Sequence, residues 1–418
     1  MITRIALRNL QRNRWRSALT AGGIALAVAM LVWTKAWIDT FERDMIRAAT
    51  AVETGQIQLH TEAYGQRHSI YASFAVDDAL LQTVDRVAGV AAAAPRTYAF
   101  GLVGNETRSQ VGRLVGVDPR REAAATLVDD ALVDGRWLSE EPAAEGAREA
   151  VVGHQLAAQL GVGVGDELVV FLQAADGSLG NDLVTIVGTV KTANSSVDRS
   201  SVYLHRDDLA YDAALDGRAH ELVVSVRDLG AVDTVAAALR AAVPPTEEGP
   251  IVTTWRETMA DLYAMLQTNQ SSMWITYLLV YAIAALGLLN TQRMSALERS
   301  REFGVLMAIG MKPARIGRML VVETLLLTAV GALAGVALGG GLALYHSKFG
   351  LDMGAFTSRG GELSFMGVAF SRRIFFEVSA EALLEPAAVI LAVALACGLV
   401  PARRAAKLDP MTAIAGRT

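Results

Sequence analysis

The chain has 418 residues, 52% hydrophobic and 19% charged, with a formal net charge of −5 and a single cysteine. Its mean hydropathy of +0.32 stands moderately above soluble norms, as expected when over half of a membrane-embedded chain is an aqueous domain. One cysteine excludes a disulfide-stapled secreted scaffold, and nothing in the composition calls for a nucleic-acid partner.

Met1–Arg16 carries five arginines and no acid, and the first apolar stretch, Ser17–Thr34, follows. Ala27-Val28-Ala29 could pass for a cleavage site, but the apolar run continues through Trp33, so the segment reads as a retained anchor. Trp33 and Trp37, with Lys35 snorkelling between them, read as an interfacial anchor. Three more apolar stretches come later: Leu262–Gln292, Thr324–Ser347, and Pro386–Ala402, the last beginning at about Ala380. A helix needs about 20 apolar residues to cross a bilayer core. The expected fold class is therefore membrane α-helical, with four transmembrane helices and a large α+β two-lobed extracytoplasmic domain between helices 1 and 2.

Charge gives the orientation. The segments 1–16, 293–318 and 403–418 hold 15 basic against 3 acidic residues, net +12, and the remainder holds 23 against 40, net −17. Basic short loops mark the cytoplasmic side, so both termini are expected inside. The expected boundaries are 1–16 inside, 17–38 first span, 39–270 outer domain with stalks, 271–292 second span, and 293–318 inner loop. A third span at 319–345, an outer segment at 346–379, a fourth span at 380–402 and an inner tail at 403–418 complete the layout.

Asp39–Val52 reads as a helical stalk, with Phe41, Met45, Ile46, Ala49 and Val52 at helical spacing. Gly55–Thr61 alternates as a half-buried strand, and Asp77–Val87 is an amphipathic helix. Tyr98–Val103 and Val111–Val117 read as strands. A second lobe runs from about Pro119 to Leu209. There Val151-Val152 is a strand, His154–Leu160 a helix capped by Gly161, and Leu168–Leu172 and Val184–Val190 are strands. The chain then returns through a strand at Leu222–Val226, a helix at Val232–Val243 and a strand at Ile251–Thr253. Met259–Met265 forms a second stalk.

No catalytic constellation is legible. There is no G-x-x-x-x-G-K-[ST] loop, and Gly161-Val-Gly-Val-Gly165 precedes a strand, so it reads as a hairpin connection. The six histidines are scattered with no metal-ligand spacing, and Cys397 lies in an apolar stretch as an inert small hydrophobe. Catalytic residues: none; metal: none. Glu323, the one acid in the third span, reads as an interfacial or locally paired group.

The informative motif lies between spans two and three, in the run Glu298-Arg-Ser-Arg301-Glu302-Phe303-Gly-Val-Leu306-Met307-Ala-Ile309-Gly310. It forms a short amphipathic helix, stopped by Gly310 and followed by Pro313, which suits the first turn of the next helix. This E-R-x-R-E-F-G-V-L-x-A-I-G run resembles the cytoplasmic loop of the FtsX-like ABC permease family. Val400-Pro-Ala-Arg403-Arg-Ala-Ala-Lys-Leu-Asp409-Pro410 resembles the family's terminus, and Ile5–Leu10 with Arg16–Thr20 its amphipathic N-terminal helix. The resemblance covers all four spans, and within the family it is most similar to the lipoprotein-releasing (LolC/LolE-type) branch. It implies a permease subunit of the bacterial inner membrane with no enzymatic activity and no cofactor of its own, ATP and magnesium being bound by a separate cytoplasmic ATPase dimer. It also implies a second FtsX-like permease, a periplasmic lipoprotein chaperone and membrane lipids as partners. ATPase coupling would fall to Glu298, Arg301, Glu302, Phe303, Leu306, Met307, Ile309 and Gly310.

A lipid-anchored cargo would enter between the outer halves of spans one and two, along Val28, Leu31, Val32, Met273, Ile275 and Leu278. Two other readings compete with cargo extraction. One is a permease that transmits force to a periplasmic hydrolase or efflux duct. The other is a receptor, against which stands an inner loop of only 26 residues.

Overall fold

The computed structural model describes residues 8, 12, 14–142, 148–192, 194–246, 249–356, 363–365, 368–370 and 373–405. Most of the basic N-terminal segment and the tail motif at Asp409-Pro410 lie outside the described residues. Two compact units are present: Met1–Glu42 with Leu266–Ser358 and Arg373–Thr418, and Arg43–Met265 with Arg359–Arg372.

The first unit is helical. It takes in most of α1 (Arg14–Ala49) and of α2 (Ala260–Glu298), the short α3 (Ser300–Ala308), α4 (Pro313–Phe349) and α5 (Ala380–Ala405). Four of them are long and apolar enough to cross a membrane. At 1.5 Å per residue the 36 residues of α1 extend about 54 Å, well beyond the roughly 30 Å of a hydrocarbon core.

Small residues set the closest helix contact. Gly331, Gly335 and Gly339 recur every fourth residue on α4 and lie against Ala21, Ala25 and Ala29 of α1. A Cβ on Gly335 would stand 2.6 Å from the Val28 Cβ and 2.7 Å from the Ala25 carbonyl oxygen. A Cβ on Gly339 would stand 2.5 Å from the Ala29 carbonyl oxygen. Glycine is what lets the two backbones approach this closely, as small-residue repeats do between membrane helices. Val28 and Val32 are fully buried in this seam with Ile24, Ala332, Ile390 and Ala394. By contrast α2 is apolar all round and turns Trp274, Ile275, Leu278 and Ile283 outward, a surface that needs lipid or another chain against it. The Lys35 ammonium lies 2.9 Å from Glu385 of α5. Trp33 and Trp37 pack over Phe376 and His346.

In the second unit ten strands form one sheet. They are β1 (Ile57–His60), β2 (Val90–Gly104), β3 (Ser109–Val117), β4 (Leu132–Gly135), β5 (Glu149–Gly153), β6 (Glu167–Gln173), β7 (Leu179–Val190), β8 (Ser201–His205), β9 (Glu221–Val226) and β10 (Ile251–Thr254). The order across the sheet is β10-β1-β9-β2-β3-β8-β5-β7-β4, and β6 bridges β2 and β7. Among the described residues one hydrophobic core gathers around Leu156, Leu168 and Ile186 and another around Val117, Val151 and Tyr203. The two expected lobes nevertheless share a sheet, because β2 is 15 residues long. Its first part pairs with β9 and its last part with β3 and β6.

The helix His154–Leu160 ends as expected at Gly161, whose φ of +72° is the left-handed cap that favours glycine. Strand β1 departs from expectation. It is buried on both faces, because β9 and β10 flank its two edges and a polar network covers the Gln58 and His60 side.

Arg96 is the centre of that network. Its guanidinium is buried and donates to both Glu122 oxygens, to the Val52 carbonyl at 3.0 Å and to the Glu53 carbonyl. It thereby satisfies the carbonyls left free where α1 passes into the π-turn Thr50–Thr54. The Tyr98 hydroxyl donates to Glu221, whose other oxygen accepts from the Gln58 amide at 3.1 Å. Burial pushes the Glu221 carboxyl up to about 7, although the Arg96 guanidinium opposes the shift.

Candidate functional site

The site is built where α2 gives way to α3. Arg299, between the two helices, is buried and points its guanidinium at Glu323 of α4, with Nη1 3.0 Å from Oε2. Its Nε lies 3.3 Å from Glu302, and the guanidinium stands 5.3 Å from the centre of the Phe303 ring. The two acids of the motif face the start of α1. Arg12 pairs with Glu302 at 2.7 Å, and Arg16 pairs with Glu298 and also donates to Ser295 at 3.1 Å. Glu323 is thus locally paired, as its position near the end of an apolar stretch required.

Phe303 is fully buried, enclosed by Ile316, Met319 and Leu320 of α4. Leu306 and Met307 pack partly against the same cluster. The outward face carries instead Arg301, Val305, Ala308, Ile309, Gly310 and Lys312, with Val305 50% and Ile309 75% exposed. Helix α3 therefore has two distinct apolar sides. The inner one fixes it to α4, and the outer one is free to receive a partner. Gly310 at φ +99° ends it in the left-handed conformation, and Pro313 opens α4. Sequence reasoning missed the arginine clamp because Arg12 and Glu302 stand 290 residues apart.

The Arg299–Glu323 pair carries a prediction. Arg299→Met leaves a buried carboxylate uncompensated, a loss of about 3–5 kcal/mol. The Arg299→Met/Glu323→Leu double variant should recover most of it. Thermal unfolding in detergent reads this directly, and two silent single variants would show that the pair has no structural role.

The expected cargo residues separate. Val28, Leu31 and Val32 are buried, whereas Ile275 and Leu278 are 63% and 66% exposed on α2 and Met273 is half-buried. An apolar groove of about 580 Å³ does lie between α1 and α2, but it is lined by Leu19, Leu26, Met30, Val280, Ile283 and Gly287.

Comparison with known proteins places these features in a family. Residues 17–242 match the family described as MacB-like periplasmic core domain, and residues 274–410 match FtsX-like permease C-terminal. The chain is 27% identical over 350 residues to the lipoprotein-releasing system transmembrane protein LolC of Xylella fastidiosa, covering 81% of this chain and 79% of that one. It is 26% identical over 420 residues to the macrolide export ATP-binding/permease protein MacB of Rhodospirillum rubrum. That alignment covers 98% of this chain but only 59% of the relative. Among solved structures, the periplasmic region of MacB from Actinobacillus actinomycetemcomitans aligns at 12% identity and a TM-score of 0.38, covering 55% of this chain and 98% of that one. With one family match spanning more than half its length and a second covering the segment that holds α3, the chain belongs to the FtsX-like permeases that carry a MacB-like periplasmic core domain.

Proposed function

We propose that this protein is the membrane subunit of an ABC transporter in the bacterial inner membrane, driven by an ATPase on a separate chain. In this reading the ATPase docks on the outer face of α3, and a second permease covers the exposed side of α2. The work done is release of lipoproteins or lipids from the membrane. The observation that carries the reading is α3 itself, a short helix whose entry is held by the ion pairs Arg12–Glu302, Arg16–Glu298 and Arg299–Glu323 and which still leaves Val305 and Ile309 uncovered. A second reading, force transmission to a periplasmic partner without cargo extraction, is favoured by the length of α1, which exceeds what a span requires. The groove along Leu26, Met30 and Ile283 is the place where an acyl chain would lie in the first reading.

The docking face gives a test. Val305→Asp with Ile309→Asp should abolish co-purification of the ATPase, since a charge in the apolar centre of an interface removes its main contribution. Folding should be unaffected, because both side chains are exposed. Phe303→Ala should act differently: it empties the chain's own packing at a cost of about 3–5 kcal/mol and lowers the unfolding midpoint. If the double aspartate variant retains its ATPase, α3 is not the docking element. Topology is checked by labelling cysteines placed at Ser178 and at Ala314, which should react from opposite sides of the membrane.

A further inference from the structure

The sheet domain contains a cavity that the transport reading does not use. It has a volume of about 340 Å³, within the range of small-molecule sites, and lies where the chain enters and leaves the domain. Glu53 and Thr54 line it just after α1, and Glu257 and Thr258 line it just before α2. At the floor is Glu221, 6% exposed. The Tyr64 ring lies parallel to that of Tyr98 at 6.3 Å, and His68 meets Tyr64 edge-on at 5.0 Å, so one wall is aromatic.

The charge of the lining is unbalanced. Three carboxylates, Glu53, Glu221 and Glu257, face the cavity against one guanidinium, Arg113, which is committed to Glu53 and to the Ser201 hydroxyl. Arg96 beneath is paired with Glu122 and reaches Glu221 only at 3.9 Å, and Glu257 accepts the Thr254 N–H at 2.8 Å and has a long, exposed contact to Arg240 at 3.6 Å. His220 is kept neutral by burial: its Nδ1 accepts the Tyr98 N–H and its Nε2–H donates to the Ile70 carbonyl. Among the described residues no group of three metal-ligating side chains forms, so a bare metal ion does not suit the site. An excess of negative charge beside aromatic faces, whose quadrupoles attract cations, suits an organic ammonium group.

We propose that this cavity is a binding site for a small organic cation, an amine whose ammonium is met by Glu221 and whose body lies against the Tyr64 and His68 rings. An occupant links Glu53 and Thr54 to Glu257 and Thr258, and so ties together the two segments that lead to α1 and α2.

Three ligands that share one ring and differ in charge test this on the unaltered full-length protein in lipid nanodiscs: phenethylamine, 2-phenylethanol and phenylacetate. Calorimetry should show saturable binding of phenethylamine, at least about tenfold tighter than 2-phenylethanol, and no binding of phenylacetate. Affinity for the amine should rise between about pH 6 and about pH 8, as Glu221 ionises through its value of about 7. The groups facing Glu221 are Arg96 and Tyr98 from β2, Gln58 and His60 from β1, Arg113 from β3 and Glu53 from the π-turn. Glu221→Gln should weaken phenethylamine about tenfold and flatten the pH dependence of its binding. Equal affinity for the three ligands, preference for phenylacetate, or no saturable binding of any of them overturns the proposal.

Discussion

Gly335→Leu should prevent the helical unit from assembling. The added Cβ alone would lie 2.6 Å from Val28 Cβ and 2.7 Å from the Ala25 carbonyl, which are parts of a packed helix and have no free rotamer to retreat into. Overpacking of this kind costs about 3 kcal/mol or more, because α1 must move away from α4 along a seam that also includes Gly331 and Gly339. The expected result is aggregated or proteolysed protein, with little monodisperse material on size exclusion in detergent. Gly341→Leu, two residues beyond the seam and with nothing within 4 Å of its Cβ position, should behave like the unaltered chain. Equal yield and stability for both variants would show that α1 and α4 do not meet through this glycine repeat.

Arg96→Leu is expected to cost the sheet domain a comparable amount. Glu122 is completely buried, and without Arg96 it keeps only the Thr126 hydroxyl at 2.7 Å. The carbonyls of Val52 and Glu53 lose their donor at the same time. Breaking one side of a buried ion pair destabilises by about 3–5 kcal/mol, and orphaned carbonyls add to that. Hydrogen exchange should show the π-turn Thr50–Thr54 opening well before the sheet, since Arg96 is what secures it to β2. A destabilisation below about 1 kcal/mol would mean that water replaces the guanidinium without loss.

What was legible in the sequence follows from how local each signal is. The apolar stretches announce four long helices because hydropathy over about 20 residues needs no partner to be read. Strand β6, and β7 up to Gly188, alternate because one face is packed and the other is not. The first part of β2 was missed: Val90–Ala94 is an alanine run ahead of Pro95, with little β-branched signal, and only pairing with β9 makes it a strand. The glycine repeat on α4 and the alanine repeat on α1 were both present as text. Their meaning required knowing that these two helices meet. Phe303 shows the same limit. An amphipathic helix reveals that one side is covered, but the covering side is set by Ile316, Met319 and Leu320, which reassigns the outward role to Val305 and Ile309. The histidines look scattered along the chain, yet His60, His68 and His220 all come within 6.4 Å of the Tyr64 ring centre. The pairing of His60 with Glu221 across β1 and β9 helps gather them, and no spacing rule encodes that register.

The proposed docking face of α3 would receive an ATPase carried on another chain. It is tested most directly by a photo-crosslinking residue at Ile309 in living cells, with a second at Met319, which is 2% exposed, as the inward control. Ile309 is expected to capture an ABC ATPase, identified by mass spectrometry, and Met319 to capture no other protein. Capture of lipid alone at Ile309, or of no nucleotide-binding chain, would contradict it.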